Sequence, residues 1–138
     1  MKKKRILLDG LDFIDIGLTN RKSVIKKLGN PEEFSFEDDY RVIYMYPTKG
    51  IEISIKIGHI HTSSVVTEVS IKEPYNGFAL ESLVLGMNFN KALESCAKEY
   101  KLDEVKKNSR VYKLDHDDLW LQIVKENDKL CFVKIYTV

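Results

Sequence analysis

Ile16-Gly17-Leu18-Thr19, preceded by Asp9-Gly10 and followed by a helical stretch, returns later as Leu85-Gly86-Met87-Asn88, preceded by Asn76-Gly77 and followed by a second helical stretch. A pattern that recurs once along the chain divides it into two halves, placed at residues 1–72 and 73–138. Asp-Gly and Asn-Gly suit a two-residue type I′ turn, whose central residues both need positive φ. Each half is therefore expected to open with a β-hairpin, its second strand running over residues 11–16 or 78–85. Gly17 and Gly86 end those strands. Thr19 and Asn88 stand where a side-chain oxygen caps the exposed amides of a first helical turn.

In the first helix Val24, Ile25 and Leu28 form a narrow apolar stripe, and Gly29 followed by Pro31 stops it. In the second, Phe89, Leu93, Cys96, Ala97 and Tyr100 recur at spacings of three and four. After each helix the period falls to two. Ile51, Ile53, Ile55 and Ile57 alternate with Glu52, Ser54 and Lys56, and Leu119, Leu121 and Ile123 alternate with Trp120 and Gln122. Strands over 40–46 and 111–114 precede these runs through turns at Pro47-Thr-Lys-Gly50 and Asp115-His-Asp-Asp118, and strands over 66–71 and 130–136 follow them. The predicted fold class is α+β: two tandem copies of β-hairpin, α-helix and three-stranded antiparallel meander, with the helices packed on one face of the sheet.

Composition narrows the function. A chain of 138 residues with 43% apolar and 31% charged side chains is ordinary for a soluble globular domain, not for disorder, collagen or a membrane span. Its 22 Lys and Arg against 21 Asp and Glu give no field that would draw in a phosphate backbone. The basic run Met1-Lys-Lys-Lys-Arg5 is followed by only Ile6-Leu-Leu8 before Asp9-Gly10, too short for the apolar core of a signal peptide, so a cytoplasmic location is expected. Cys96 and Cys131 are expected to be free, buried thiols.

The chemistry-bearing motifs are sparse. His59-Ile-His61 puts two imidazoles on one side of an extended segment without a third ligand nearby, and reads as a solvated loop. Asp115-His-Asp-Asp118 has the acids of a calcium loop, but Trp120 stands where that loop needs glycine, so it reads as an acidic turn. Glu37-Asp-Asp39 reads likewise as a solvated loop. Cys96 has no local histidine partner, and no Gly-rich phosphate loop, Gly-x-Ser-x-Gly elbow or His-Glu-x-x-His helix is present. No catalytic residue, cofactor or metal is assigned.

The leftover face of the sheet carries the functional expectation. A loop over 125–129 would pair Ile123 with Cys131, Leu121 with Val133 and Leu119 with Ile135, one apolar face for the helix to cover. Trp120, Gln122, Phe132, Lys134 and Tyr136 then fall on the opposite face, with Val124 beside them. In the first half Arg41, Met45 and Lys56 share that side, while Tyr44 and Tyr46 turn toward the helix. Aromatic side chains mixed with a few charges make up the centres of protein interfaces, so these eight residues are the predicted partner-binding set.

Gly17-Leu-Thr19, Val24, Leu28-Gly-Asn-Pro31, the aromatic strand Tyr44-Met-Tyr46 and Val69-Ser-Ile71 resemble the SmpA/OmlA lipoprotein repeat, which also underlies the β-lactamase inhibitor protein. The second half is similar at Gly86-Met87 and departs at Tyr100-Lys-Leu102, where the Leu-Gly-x-Pro ending would stand. The two-part layout is also similar to bacterial cytoplasmic immunity-type proteins. The resemblance implies a non-catalytic inhibitor whose sheets together cover a protein partner such as a toxin or an enzyme, with no nucleic acid and no membrane involved. It departs from the envelope lipoproteins and secreted inhibitors in having no lipidated cysteine after a signal peptide and no disulfide within each repeat. The alternative is an assembly module that self-associates as a homodimer through its sheets.

Overall fold

A computed structural model describes residues 8–57, 64–80, 82–114 and 118–137. Its first part contains α1 (Arg21–Leu28), β1 (Glu33–Asp38), β2 (Arg41–Tyr46), β3 (Ile51–Lys56) and β4 (Val65–Lys72). A small pair, β5 (Phe78–Ala79) and β6 (Leu83–Val84), leads to α2 (Phe89–Glu99), then β7 (Lys101–Val105), β8 (Ser109–Lys113), β9 (Leu119–Glu126) and β10 (Lys129–Thr137). Eight strands form one antiparallel sheet in the order β1-β2-β3-β4-β10-β9-β8-β7. No helix among the described residues is long and apolar enough to cross a membrane.

This arrangement corrects the predicted one. The chain does not build two tandem copies of hairpin, helix and three-stranded meander; it builds one large sheet, joined through β4 and β10, with two short helices of 8 and 11 residues among the described residues. The strand expected before Asp9 lies in residues 1–7, outside the described residues; among the described residues no strand pair closes through Asp9-Gly10 or Asn76-Gly77, for a specific reason. The Asp9 amide donates to the Phe78 carbonyl, the Asp9 carboxylate accepts from the Phe78 amide at 2.8 Å, and the Tyr75 hydroxyl donates to the Asp9 carbonyl at 2.6 Å. Asp9-Gly10 and Asn76-Gly77 thus belong to segments that bond to each other across the chain instead of each closing a local hairpin.

The repeated glycine segments have a common task within the single sheet. Gly17 donates to the Val66 carbonyl and Gly86 to the Leu130 carbonyl, both at 2.7 Å, which lays the start of each helix against β4 or β10. Asn20, not Thr19, caps α1 by accepting from the Ser23 amide, while the Thr19 hydroxyl accepts from the Asp15 amide. Asn88 caps α2 as expected, accepting from Asn90 and Lys91. Gly29 ends α1 at φ 85°, where a side chain is disfavoured. At Gly50, φ 70°, an added Cβ would run into the Lys72 carbonyl and the Tyr75 amide, so only glycine lets the β2–β3 turn close against the end of β4.

One hydrophobic core fills the helix side of the sheet. Val24 of α1 and Phe89, Ala92 and Cys96 of α2 pack with Ile53, Ile55, Val66, Leu121, Ile123 and Ile135, all essentially inaccessible. Ala97, placed by periodicity on the buried face of α2, is exposed, and Ala92 takes the core position. Tyr44 and Tyr46 face this core as predicted, and the Tyr46 hydroxyl reaches back to the Gly29 carbonyl at 2.9 Å.

Candidate functional site

The side of the sheet that the helices leave uncovered is set by register. Asn127 and Asp128, with φ of 53° and 62°, form a two-residue turn in place of the expected longer loop. That change alone would slip every pair by one and turn the apolar set outward. A bulge at Cys131, between Leu130 and Phe132, supplies a second slip that restores the faces. Ile123 therefore pairs with Val133 and Leu121 with Ile135, two residues away from the predicted partners, and Trp120, Gln122, Phe132, Lys134 and Tyr136 still share the open face.

Cross-strand pairing orders this face into rows. One row runs Ser54, Glu68, Tyr136, Trp120, Lys113, and the next runs Met45, Glu52, Ser70, Lys134, Gln122, Val111. Arg41 and Lys56 pair with each other at the β2–β3 end, both exposed. The structure thus brings five of the eight predicted residues together on β9 and β10. Arg41, Met45 and Lys56 lie on the same face but beyond β4, with β2 three strand spacings, roughly 14 Å, from β10.

The sequence reading missed the residues that connect these two groups. Glu68, Ser70 and Lys72 of β4 and Val111 and Lys113 of β8 complete the face. The alternation of Glu68 and Ser70 with Val69 and Ile71 was the available signal; what the sequence does not show is that β4 pairs with β10.

The face is partly closed by its own long side chains. Ser54 and Ser70 are only 4% and 5% exposed, although no helix covers them. Glu68 accepts from the Ser54 hydroxyl at 3.3 Å and lies 3.9 Å from the Lys134 ammonium, which stands 5.0 Å over the Tyr136 ring. Lys113 stands 5.8 Å over Trp120. Burial, reinforced by the negative charges of Glu104, Asp103 and Glu68, pushes the Tyr136 hydroxyl above its ordinary pKa, so it stays a proton donor. The Trp120 indole Nε1 is buried and, among the described residues, donates to nothing. Leaving such a donor unpaired costs about 1–3 kcal/mol.

Elsewhere the chemistry is muted. Cys96 is buried in the core, and burial, with a smaller contribution from Glu99, pushes its thiol up to about 12, which keeps it protonated and non-nucleophilic at neutral pH. Burial likewise raises the Cys131 thiol in its bulge. Both thiols are free. His59, His61 and residues 115–117 of the acidic turn lie outside the described residues. Among the described residues no three or more His, Cys, Asp or Glu side chains converge as a metal site would need.

A single eight-stranded antiparallel sheet with two short helices on one face is an arrangement shared with larger solved proteins. A cysteine-rich secretory protein from Staphylococcus aureus matches with a TM-score of 0.59 at 13% identity, over 93% of this chain and 46% of its own. An extracellular protein containing an SCP domain, from Bacillus anthracis, matches with a TM-score of 0.57 at 12% identity, over 99% of this chain and 49% of its own. The chain spans about half the length of each, and at these identities the likeness is one of fold. No protein-family model matches the chain, and no curated protein matches it in sequence.

Proposed function

We propose that this protein is a non-catalytic protein-binding module that docks a protein partner on the open sheet face, in the manner of an inhibitor or immunity-type protein. The observation that supports this most directly is the buried Trp120 N–H, unpartnered among the described residues, beside half-buried Phe132, Tyr136 and Lys134. A partner that displaces the side chains covering this N–H could accept from it through a carbonyl or carboxylate and relieve the cost of leaving it unpaired. Aromatic anchors flanked by cations are also what interface centres use. Lys134, Gln122 and Lys113 ring the aromatic set, and Met45, Arg41 and Lys56 extend it toward β1.

The test is affinity capture of the tagged chain from its native lysate, in parallel with a Trp120→Ala, Tyr136→Ala double variant whose fold is checked by circular dichroism. One stoichiometric partner held by the parent chain and lost by the variant is the expected result; truncating central anchors should cost about 2 kcal/mol or more each. A partner retained equally by both, or a chain that elutes only as a defined homo-oligomer, would contradict the reading. The cytoplasmic location is part of the same proposal. The two similar structures are described as a secretory and an extracellular protein, so fractionation of the producing cells tests the location independently.

A further inference from the structure

We infer that β1 and the cleft beside it form a second docking site, on the helix side of the sheet, for an extended protein segment that alternates apolar residues with Lys or Arg. Among the described residues β1 is the last strand on its side of the sheet and pairs only with β2. All six of its residues are exposed. Its register, Phe34 with Tyr44 and Phe36 with Val42, turns both phenylalanines toward the side of the core, yet they are 60% and 64% exposed. The two rings meet edge to face at 5.9 Å.

Among the described residues the aromatic pair lines one wall of an open cleft. Between the helix and β1 lies a cleft of about 590 Å³, walled chiefly by Ile25, Pro31, Phe34, Phe36 and Tyr44, with Arg21 at its side. Edge strands are normally kept short, bulged or charged on their apolar side so that nothing pairs with them. This one is bulged between Phe36 and Asp38 and carries Glu33 and Glu37, yet over Glu33–Phe36 it keeps a regular pairing edge with two aromatics on its core side, beside the cleft. An added strand would gain main-chain hydrogen bonds along β1 and place every second side chain beside Phe34 and Phe36.

Charge selects the occupant. Glu32, Glu33, Glu37, Asp38 and Asp39 crowd residues 32–39, a stretch without Lys or Arg. Arg41 lies 3.8 Å from Glu37 at one end. A second copy pairing through the same strand would set this acidic stretch against itself, and like charges across a strand pair are destabilising. A strand with Lys or Arg at alternate positions reverses that sign and leaves its apolar residues for the cleft. This site lies on the opposite face from Trp120, so it does not depend on the open-face reading.

The experiment is fluorescence anisotropy of a labelled peptide of about ten residues that alternates Lys and Val, titrated with the full chain. Binding is expected. An alternating Glu-Val peptide should not bind, and N-methylation of alternate backbone amides of the Lys-Val peptide should abolish binding by removing its strand-pairing donors. A Phe34→Ser, Phe36→Ser variant should weaken binding by about tenfold or more. A Glu33→Lys, Glu37→Lys variant should shift preference toward the Glu-Val peptide. Circular dichroism confirms that each variant folds. Equal binding of the N-methylated peptide would show charge attraction alone and overturn the proposal. So would failure of the Lys-Val peptide to bind, or an effect of the serine substitutions on dimerisation and none on the peptide.

Discussion

The two faces of the sheet are made by the same strands, residue by residue, and differ completely in finish. On the helix side Leu121, Ile123, Val133 and Ile135 are sealed at 0–1% exposure beneath α1 and α2. One residue along, Trp120, Gln122, Lys134 and Tyr136 are half-buried, held by ion pairs and cation–ring contacts, with a buried indole donor left unpaired. Alternation in a strand sorts side chains at no extra length, so one backbone carries a completed core and an uncompleted surface together. The difference teaches that here burial alone does not mark a core: the open face is buried by its own side chains, the helix face by other elements.

Three substitutions sharpen this contrast. Leu121→Ala empties a fully buried position and should lower stability by about 2–5 kcal/mol in urea unfolding. Tyr46→Phe removes the hydroxyl that bonds the Gly29 carbonyl and should cost about 1 kcal/mol at neutral pH. It should also make alkaline unfolding shallower. Burial pushes Tyr46 and Tyr75 up to about 12 from an ordinary value of 10.0. Because the folded value is the higher one, the associated stability is complete below about pH 10 and is lost as pH rises through about 12. Stability measured across that window should fall less steeply for Tyr46→Phe than for the parent chain. Trp120→Phe keeps one aromatic ring but removes the pyrrole ring together with its unpartnered N–H, so lost packing and the relieved donor offset and the unfolding free energy should change by no more than about 1 kcal/mol.

The helix-side face was readable from the sequence wherever strands are half-buried. Alternation at Ile51–Lys56 and Leu119–Glu126, the Asn88 cap and the Gly29 stop all stand where periodicity and capping chemistry put them. The open face survived an error in register because the turn at Asn127-Asp128 and the bulge at Cys131 shift the pairing by two residues in total, an even number. Both edge strands escaped the reading. Lys101–Val105 is exposed throughout and shows no alternation, while Glu33–Asp38 alternates Phe34 and Phe36 with Glu33, Ser35 and Glu37 over too few residues to stand out beside Glu37-Asp-Asp39, which read as a loop. The opening hairpins failed because the partner of Asp9 is Phe78, a contact that no local pattern encodes. The continuous sheet depends on the β4–β10 pairing, which is equally non-local.

The most direct test of the central claim, that the open face is a surface finished by a partner, is urea unfolding of Trp120→Ala beside Leu121→Ala. These residues are neighbours on β9 that point to opposite faces. The account predicts that Trp120→Ala loses no more than about half the stability that Leu121→Ala loses, with an unchanged denaturant slope. A loss equal to that of Leu121→Ala would contradict it, because Trp120 would then belong to a second internal core and not to a surface kept for binding.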